Sequence, residues 1–337
     1  VHFDIYAQRI DAHGKVLWEK DGVPVCTAPE NQNRARIISD GNGGAIIVWH
    51  DVRSGNGNYD IYAQRIDADG NPQWTNNGIP VCNASKEQNS PCITSDGIGG
   101  AIIMWEDFRT NYADLYGQRI NKNGESLWAK NGVLVCGTTG AQSAPEVISD
   151  GTGGAIVTWQ DFRRNYADMY AQRIDGGGTI LWEEWGVAVC NAQGHESFAV
   201  IVSNVAEGAI ITWIDTRNGT NNNDIYAQQL DGNGAVQWLA DGVPICTASG
   251  NQNYPMITTD GAGGALIGWW DMRSGDFNIY AQRIDLAGYV QWGKNGLAIC
   301  IESGIQNRVS IISDGDNGAI LVWNDNRTAP ADFDVYA

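Results

Sequence analysis

Tryptophan, aspartate and arginine recur at alternate positions, as Trp-x-Asp-x-Arg, six times along this chain. The copies are Trp49/Asp51/Arg53, Trp105/Asp107/Arg109, Trp159/Asp161/Arg163, Trp213/Asp215/Arg217, Trp269/Asp271/Arg273 and Trp323/Asp325/Arg327. On an extended strand alternate residues share a face, so each copy sets a carboxylate beside a guanidinium at a strand end. Glutamines form a second polar column at Gln32, Gln88, Gln142, Gln252 and Gln306, with Glu196 in the remaining copy. Arg and Gln donors in this arrangement suit sugars or carboxylates, and the six Asp/Arg pairs with the five glutamines are the candidate binding set. Six equal copies are also what a structural demand produces automatically. The stronger expectation is therefore a tie between loops, in which Asp accepts backbone N–H groups and Arg pairs with it.

No constellation for catalysis stands out, and no catalytic residue is expected. The histidines His2, His13, His50 and His195 are scattered, without HExxH or His-x-His spacing. No GxSxG elbow, P-loop or dinucleotide fingerprint occurs. Gly41-Asn42-Gly43-Gly44 joins two strands rather than opening a helix, so it reads as a hairpin turn. Asp67-Ala68-Asp69-Gly70 and Asp314-Gly315-Asp316-Asn317 echo the start of calcium loops but lack the distal bidentate glutamate. No metal or other cofactor is expected, with calcium at these turns as the alternative.

The elements that must position these residues follow from the repeat. DIYAQRI begins at Asp4 and returns at Asp60, Asp114, Asp168, Asp224 and Asn278 in close variants, and Asp334 opens a further copy. The steps are 56, 54, 54, 56, 54 and 56 residues. A period in this range marks a solenoid, propeller or array. Within one copy, Ala35–Ser39, Ala45–Trp49 and Ile61–Ile66 are short β-rich runs bounded by Gly, Asp and Asn, and Gly78–Cys82 makes a last, broken strand. No 3.6-residue periodicity appears, so the fold is all-β with about four antiparallel strands per repeat.

Ser39-Asp40-Gly41, then Trp49, Asp51 and Arg53, then Asp60-Ile61-Tyr62 resembles the TolB-type, WD-like β-propeller repeat of bacterial extracellular proteins. The resemblance covers nearly the whole chain. It implies that the strand ending in Ser-Asp-Gly is innermost and the strand after Asp-Ile-Tyr is third. The proline that the family places before Asp-Gly is missing, and Trp49 and Asp51 replace other residues. In that order the chain opens on third and fourth strands, Asp4 to Cys26, and closes on first and second strands, Arg308 to Trp323. The ends together would complete one blade, giving a single six-bladed propeller over residues 1–337 whose closure hides its sheet edges. Asp334 to Ala337 is then surplus, which points to a piece of a longer chain.

Composition narrows the partners. Lys plus Arg number 21 against 39 Asp plus Glu, a net charge of −18, so nucleic acid is not expected. No apolar run is long enough to insert in a membrane. Six of the seven cysteines share one repeat position, and on the outermost strand they lie at least ~14 Å from the innermost. They are expected to be buried thiols, too far apart to pair. Cys92 is the odd one, and a bond to Cys82 would refute the strand order. The copy at 193–208 breaks pattern, which opens the alternative of a specialised pocket near His195 and Glu196.

The expectation drawn from the sequence is a non-catalytic, secreted or cell-surface module for binding, scaffolding or adhesion, with protein or glycan as partner. The alternative is a lectin-like propeller with repeated inter-blade sugar sites. A glycoside-processing enzyme comes third, because an enzyme needs asymmetry and the repeats look alike.

Overall fold

The computed structural model describes residues 2–55, 57–205, 207–327 and 333–336, so that Ala337 lies outside the described residues. It is all-β, and no helix of the described residues is long and apolar enough to cross a membrane. Among the described residues twenty-five strands, β1 to β25 in chain order, form seven antiparallel sheets. Five of the sheets have four strands, each strand pairing with the next in sequence. One such sheet contains β3 (Gln32–Ser39), β4 (Ala45–Asp51), β5 (Asp60–Ile66) and β6 (Ile79–Cys82). This meander is the β-propeller type of blade that the repeat predicts.

The expected shared blade is not formed. β25 (Asp334–Tyr336) pairs with β24 (Ala319–Asp325), so the last sheet takes its third strand from its own continuation. β1 (Ile5–Ala7) pairs with β2 (Val23–Cys26) in a separate two-stranded sheet. Both ends carry the same Asp-x-Tyr strand, and the copy nearer in sequence closes the shorter loop.

The chain divides into two compact units, Val1–Val157 with Gln172–Gly186, and Thr158–Ala171 with Val187–Ala337. In each, the second strand of a blade is the most enclosed. β4 and β8 (Ala101–Asp107) are buried along their whole length, as a strand covered on both faces must be. In the first unit Ile46, Val48 and Ile61 of one blade pack with Ile103 and Trp105 of the next. In the second unit Ile210, Ile225 and Trp238 do the same with Ile267 and Trp269. All seven cysteines are buried thiols. Cys82 faces Asp107 and Cys92 faces the Met104 carbonyl, so these two do not bond each other.

A second set of tryptophans ties neighbouring blades. The indole N–H of Trp18 donates to Ala68 O, that of Trp74 to Lys122 O, that of Trp128 to Gly176 O and that of Trp238 to Leu286 O, at 3.0–3.1 Å. The ring lies over the glycine of the turn it reaches. At Gly124, whose φ is +87°, a Cβ would stand 2.9 Å from the Trp74 ring. Gly124→Ala is therefore expected to lower stability by about 1–3 kcal/mol. The urea midpoint checks this, and an unchanged midpoint would mean that the indole contact carries no weight.

Candidate functional site

The repeated Trp-x-Asp-x-Arg groups are engaged within the protein. Asp51, Asp107, Asp161, Asp215, Asp271 and Asp325 are fully buried. Each carboxylate accepts the indole N–H of its own tryptophan at 2.8–3.2 Å. Each also accepts the backbone N–H of its arginine at 2.9 Å and bonds that arginine's guanidinium. The guanidinium lies 3.8–4.3 Å over a tyrosine ring of the third strand. Arg53, Arg109, Arg217 and Arg273 also reach a cysteine sulfur and a loop carbonyl, such as Cys82 and Asn131 O for Arg109.

Arg163 and Arg327 follow the same plan. Arg163 donates from Nε to Asp161 Oδ1 at 2.8 Å and from Nη2 to Oδ2 at 2.6 Å, and its guanidinium lies 3.8 Å over the Tyr170 ring. Arg327 bonds Asp325 and the Cys300 sulfur beneath Tyr336. Each of the six guanidiniums thus pairs with the aspartate of its own repeat. A carboxylate that is out of water demands its counter-charge at close range, and Nη2 of each guanidinium meets that demand, while the buried Nε of Arg53 has no hydrogen-bond partner. Gln32, Gln88, Gln142, Gln252 and Gln306 are equally buried. Four of them donate to carbonyls of their own loops, as Gln88 does to Lys86 O, and Gln306 turns to Asp325.

Between these constant residues lie positions that vary from blade to blade. The residue between Trp and Asp is His50, Glu106, Gln160, Ile214, Trp270 or Asn324. Opposite it the first strand of the blade carries a β-bulge, as between Asn33 and Arg36 or between Asn89 and Cys92. The residue at this point of the repeat is Arg34, Ser90, Ala144, Phe198, Tyr254 or Arg308, and all six sit at φ of 50–54°. A left-handed conformation is uncommon for non-glycine residues and costs of order 1–3 kcal/mol. Bulges re-aim side chains and gather beside functional sites. The asymmetry that the repeats conceal is concentrated in these two positions.

In the first unit they line a polar cavity of about 420 Å³, walled by Asn33, Arg34, His50, Tyr59, Glu87, Asn89, Ser90 and Glu106. The His50 ring lies 5.2 Å from that of Tyr59. Burial, reinforced by the Arg34 charge, pushes the His50 pKa down to about 4, so the imidazole is neutral at physiological pH. Its Nε2 has no hydrogen-bond partner. Glu106 accepts the Ala144 N–H at 2.7 Å through one oxygen. The cavity thus combines two carboxyls, a phenol, a neutral imidazole, a guanidinium and amides.

In the second unit a cavity of about 330 Å³ lies beside the deviant copy, lined by Arg164, Asn165, Tyr166, Asn191, Ala192 and Gln193 but not by His195 or Glu196. His195 is exposed, accepts the Ala167 N–H at 3.2 Å and meets the edge of Tyr166. Glu196 is fully buried, with Cys190 and Asp215 around it, and their ligand atoms lie within 4.8 Å of one another. A metal held by all three would have to displace Arg217, whose guanidinium lies 3.1 Å from Cys190 Sγ and 2.5 Å from Asp215. Burial first, then Asp215 and Asp168, raises the Glu196 pKa to about 9. Where the other copies have an amide N–H₂, Glu196 can donate only in its protonated form.

No protein-family model matches the sequence, and no curated protein does. Among solved structures the chain is similar to an ulvan lyase of polysaccharide lyase family PL25 bound to -[GlcA(1-4)Rha3S]-. The identity is 10%, over 91% of this chain and 79% of that one, with a TM-score of 0.59. An α-L-arabinofuranosidase from Fusarium graminearum matches at 11% identity, 90% and 91% coverage and a TM-score of 0.48. A Penicillium chrysogenum α-L-arabinanase matches at 14%, 74% and 80%, with 0.44. The expectation of a non-catalytic scaffolding or adhesion module is corrected here. The ulvan lyase whose fold this chain resembles is a polysaccharide lyase, and in the first unit several unrepeated side chains line one cavity.

The buried carboxyls can be tested through stability. Asp107→Ala leaves the Arg109 guanidinium without its counter-charge and should cost about 3 kcal/mol in chemical denaturation; an unchanged midpoint would show that the pair contributes nothing. For Glu196 the folded state holds a proton that the unfolded chain releases above about 4.5, so stability falls as pH rises from there to about 9. Glu196→Gln should abolish that decline and stabilise the protein by on the order of 1–3 kcal/mol at the alkaline end. A variant whose pH profile matches that of the parent would refute the protonated glutamic acid.

Proposed function

We propose that this protein processes carbohydrate, cleaving a polysaccharide at the polar cavity of the first unit. The observation that carries the reading is the convergence of His50, Tyr59, Glu87, Glu106 and Arg34 on one cavity built from positions that vary between blades. Breaking a glycosidic bond requires a group that gives a proton to the leaving oxygen and a second that takes a proton or attacks. Glu87, Glu106 and Tyr59 supply candidates for both. Arg34 offers a counter-charge for an acidic sugar, and Asn33 and Asn89 offer donors and acceptors for hydroxyls. His50, held neutral, hydrogen-bonds a sugar without adding charge. The ulvan lyase resemblance, on its own a likeness of fold, agrees with a polysaccharide substrate. In this reading the protein works outside the cell, where such polymers are met, and its kinship with TolB-type repeats ends at the blade.

A second reading, a lectin-like propeller that binds glycan without cleaving it, is favoured by a cluster of aromatic side chains in the second unit. Turnover separates the two. The wild-type protein is incubated with ulvan, linear arabinan and a neutral β-glucan, and both reducing ends and the ultraviolet absorbance of unsaturated uronate are followed. Reducing ends alone indicate hydrolysis, and both signals together indicate elimination. Glu106→Gln or Glu87→Gln is expected to lower the rate about 10²–10⁴-fold. Any acid limb set by His50 should fall near pH 4 rather than 6.5. Full activity in both variants, or no cleavage of any of the three polymers, would overturn the proposal.

A further inference from the structure

The bulge position carries an aromatic residue in two successive blades of the second unit, and the position between Trp and Asp adds Trp270 in the latter of them. β15 (Glu196–Ser203) presents Phe198 and β19 (Gln252–Thr259) presents Tyr254, their ring centroids 4.7 Å apart. Tyr254 stacks in turn on Trp270 at 4.4 Å, and Trp270 meets the edge of Phe277 at 5.7 Å. Phe198 is 50% exposed and Tyr254 44%. Both stand on the left-handed bulge, at φ of 51–52°, that all six copies share, and here the bulge presents a half-exposed aromatic ring. Rings left half exposed forgo part of the free energy that full burial would bring.

Amides flank the rings. Asn253 precedes Tyr254 and stands opposite Trp270 in the ladder. Its Oδ1 accepts from Asn223 Nδ2 at 2.7 Å, which leaves its own N–H₂ group outside that bond. Aromatic faces beside a few fixed polar groups are the usual lining of a small-ligand site. The two open rings cover far less than the roughly 800 Å² that each partner of a stable protein pair buries.

We propose that Phe198 and Tyr254, backed by Trp270, form a subsite that stacks sugar rings of a polysaccharide through their C–H faces, while Asn253 bonds a ring hydroxyl. This inference rests on the carbohydrate reading above but not on cleavage. The ligand class is a pyranose or furanose with one face free of axial hydroxyls. The subsite holds polymer and touches no reacting atom.

The test is affinity electrophoresis of the whole chain in native gels containing ulvan, linear arabinan or a neutral β-glucan, with cleavage of the same polymers measured in parallel. At least one polymer should retard the wild type. Phe198→Ala/Tyr254→Ala should weaken that retardation about tenfold or more, and Tyr254→Phe should keep it because the face is preserved. Melting temperatures confirm that the variants are folded; if the double variant fails to fold, Phe198→Ser alone serves. Retardation of the wild type that the double variant retains, or no retardation by any polymer, overturns the subsite. Binding lost in the double variant while the wild type cleaves nothing leaves the subsite standing and removes the enzymatic reading. Cleavage without any retardation does the reverse.

Discussion

One buried carboxylate per blade holds the constant part of this structure together. The aspartate of each Trp-x-Asp-x-Arg copy sits in a site without solvent, where an unpaired charge would cost several kcal/mol. It is tolerated because an indole N–H, a backbone N–H and a guanidinium converge on it. The guanidinium must then lie flat on the tyrosine of the third strand, which fixes that strand against the second. A cysteine from the preceding repeat and a carbonyl from a following loop complete its surroundings. The residue types of the column are therefore mutually dependent, and none can drift alone. That dependence accounts for near-identical copies better than any repeated ligand would.

A rigid column of this kind frees its neighbours. The residue between Trp and Asp and the residue on the bulge opposite it are held by backbone geometry rather than by their side chains, so almost any chemistry fits. The chain uses that freedom unevenly: charged and polar groups at His50, Glu106 and Arg34 in one unit, aromatic rings at Phe198, Tyr254 and Trp270 in the other.

The strands and the state of the cysteines are readable from the 54–56-residue period and the turn residues, whereas the order of strands within a blade comes from the resemblance to the TolB-type repeat. The pairing of the last blade is not, because Asp4-Ile5-Tyr6 and Asp334-Val335-Tyr336 are equivalent as sequence and only loop length chooses between them. The cavity escapes a sequence reading for a different reason. A reader of repeats looks at what recurs, and Asp107 and Arg109 recur, whereas Glu106 near them looks like noise. Aligning the six copies and comparing the columns that never repeat would bring His50, Glu106 and Trp270 together. The left-handed bulge has no such signal, since neither Asn-Arg-Ala nor Glu-Ser-Phe is turn-like. Glu196 stands out in the sequence as an oddity, but only the structure shows it enclosed with neither oxygen hydrogen-bonded, so that burial raises its pKa to about 9.

The inter-blade indoles give the chain a direction. Trp74 reaches forward to the hairpin of the following repeat, and Trp128 does the same one repeat later. Each such blade clasps its successor and is clasped by its predecessor. Under tension, or while emerging from a ribosome, the array should order itself as a ratchet, each newly folded hairpin receiving an indole that is already waiting for it.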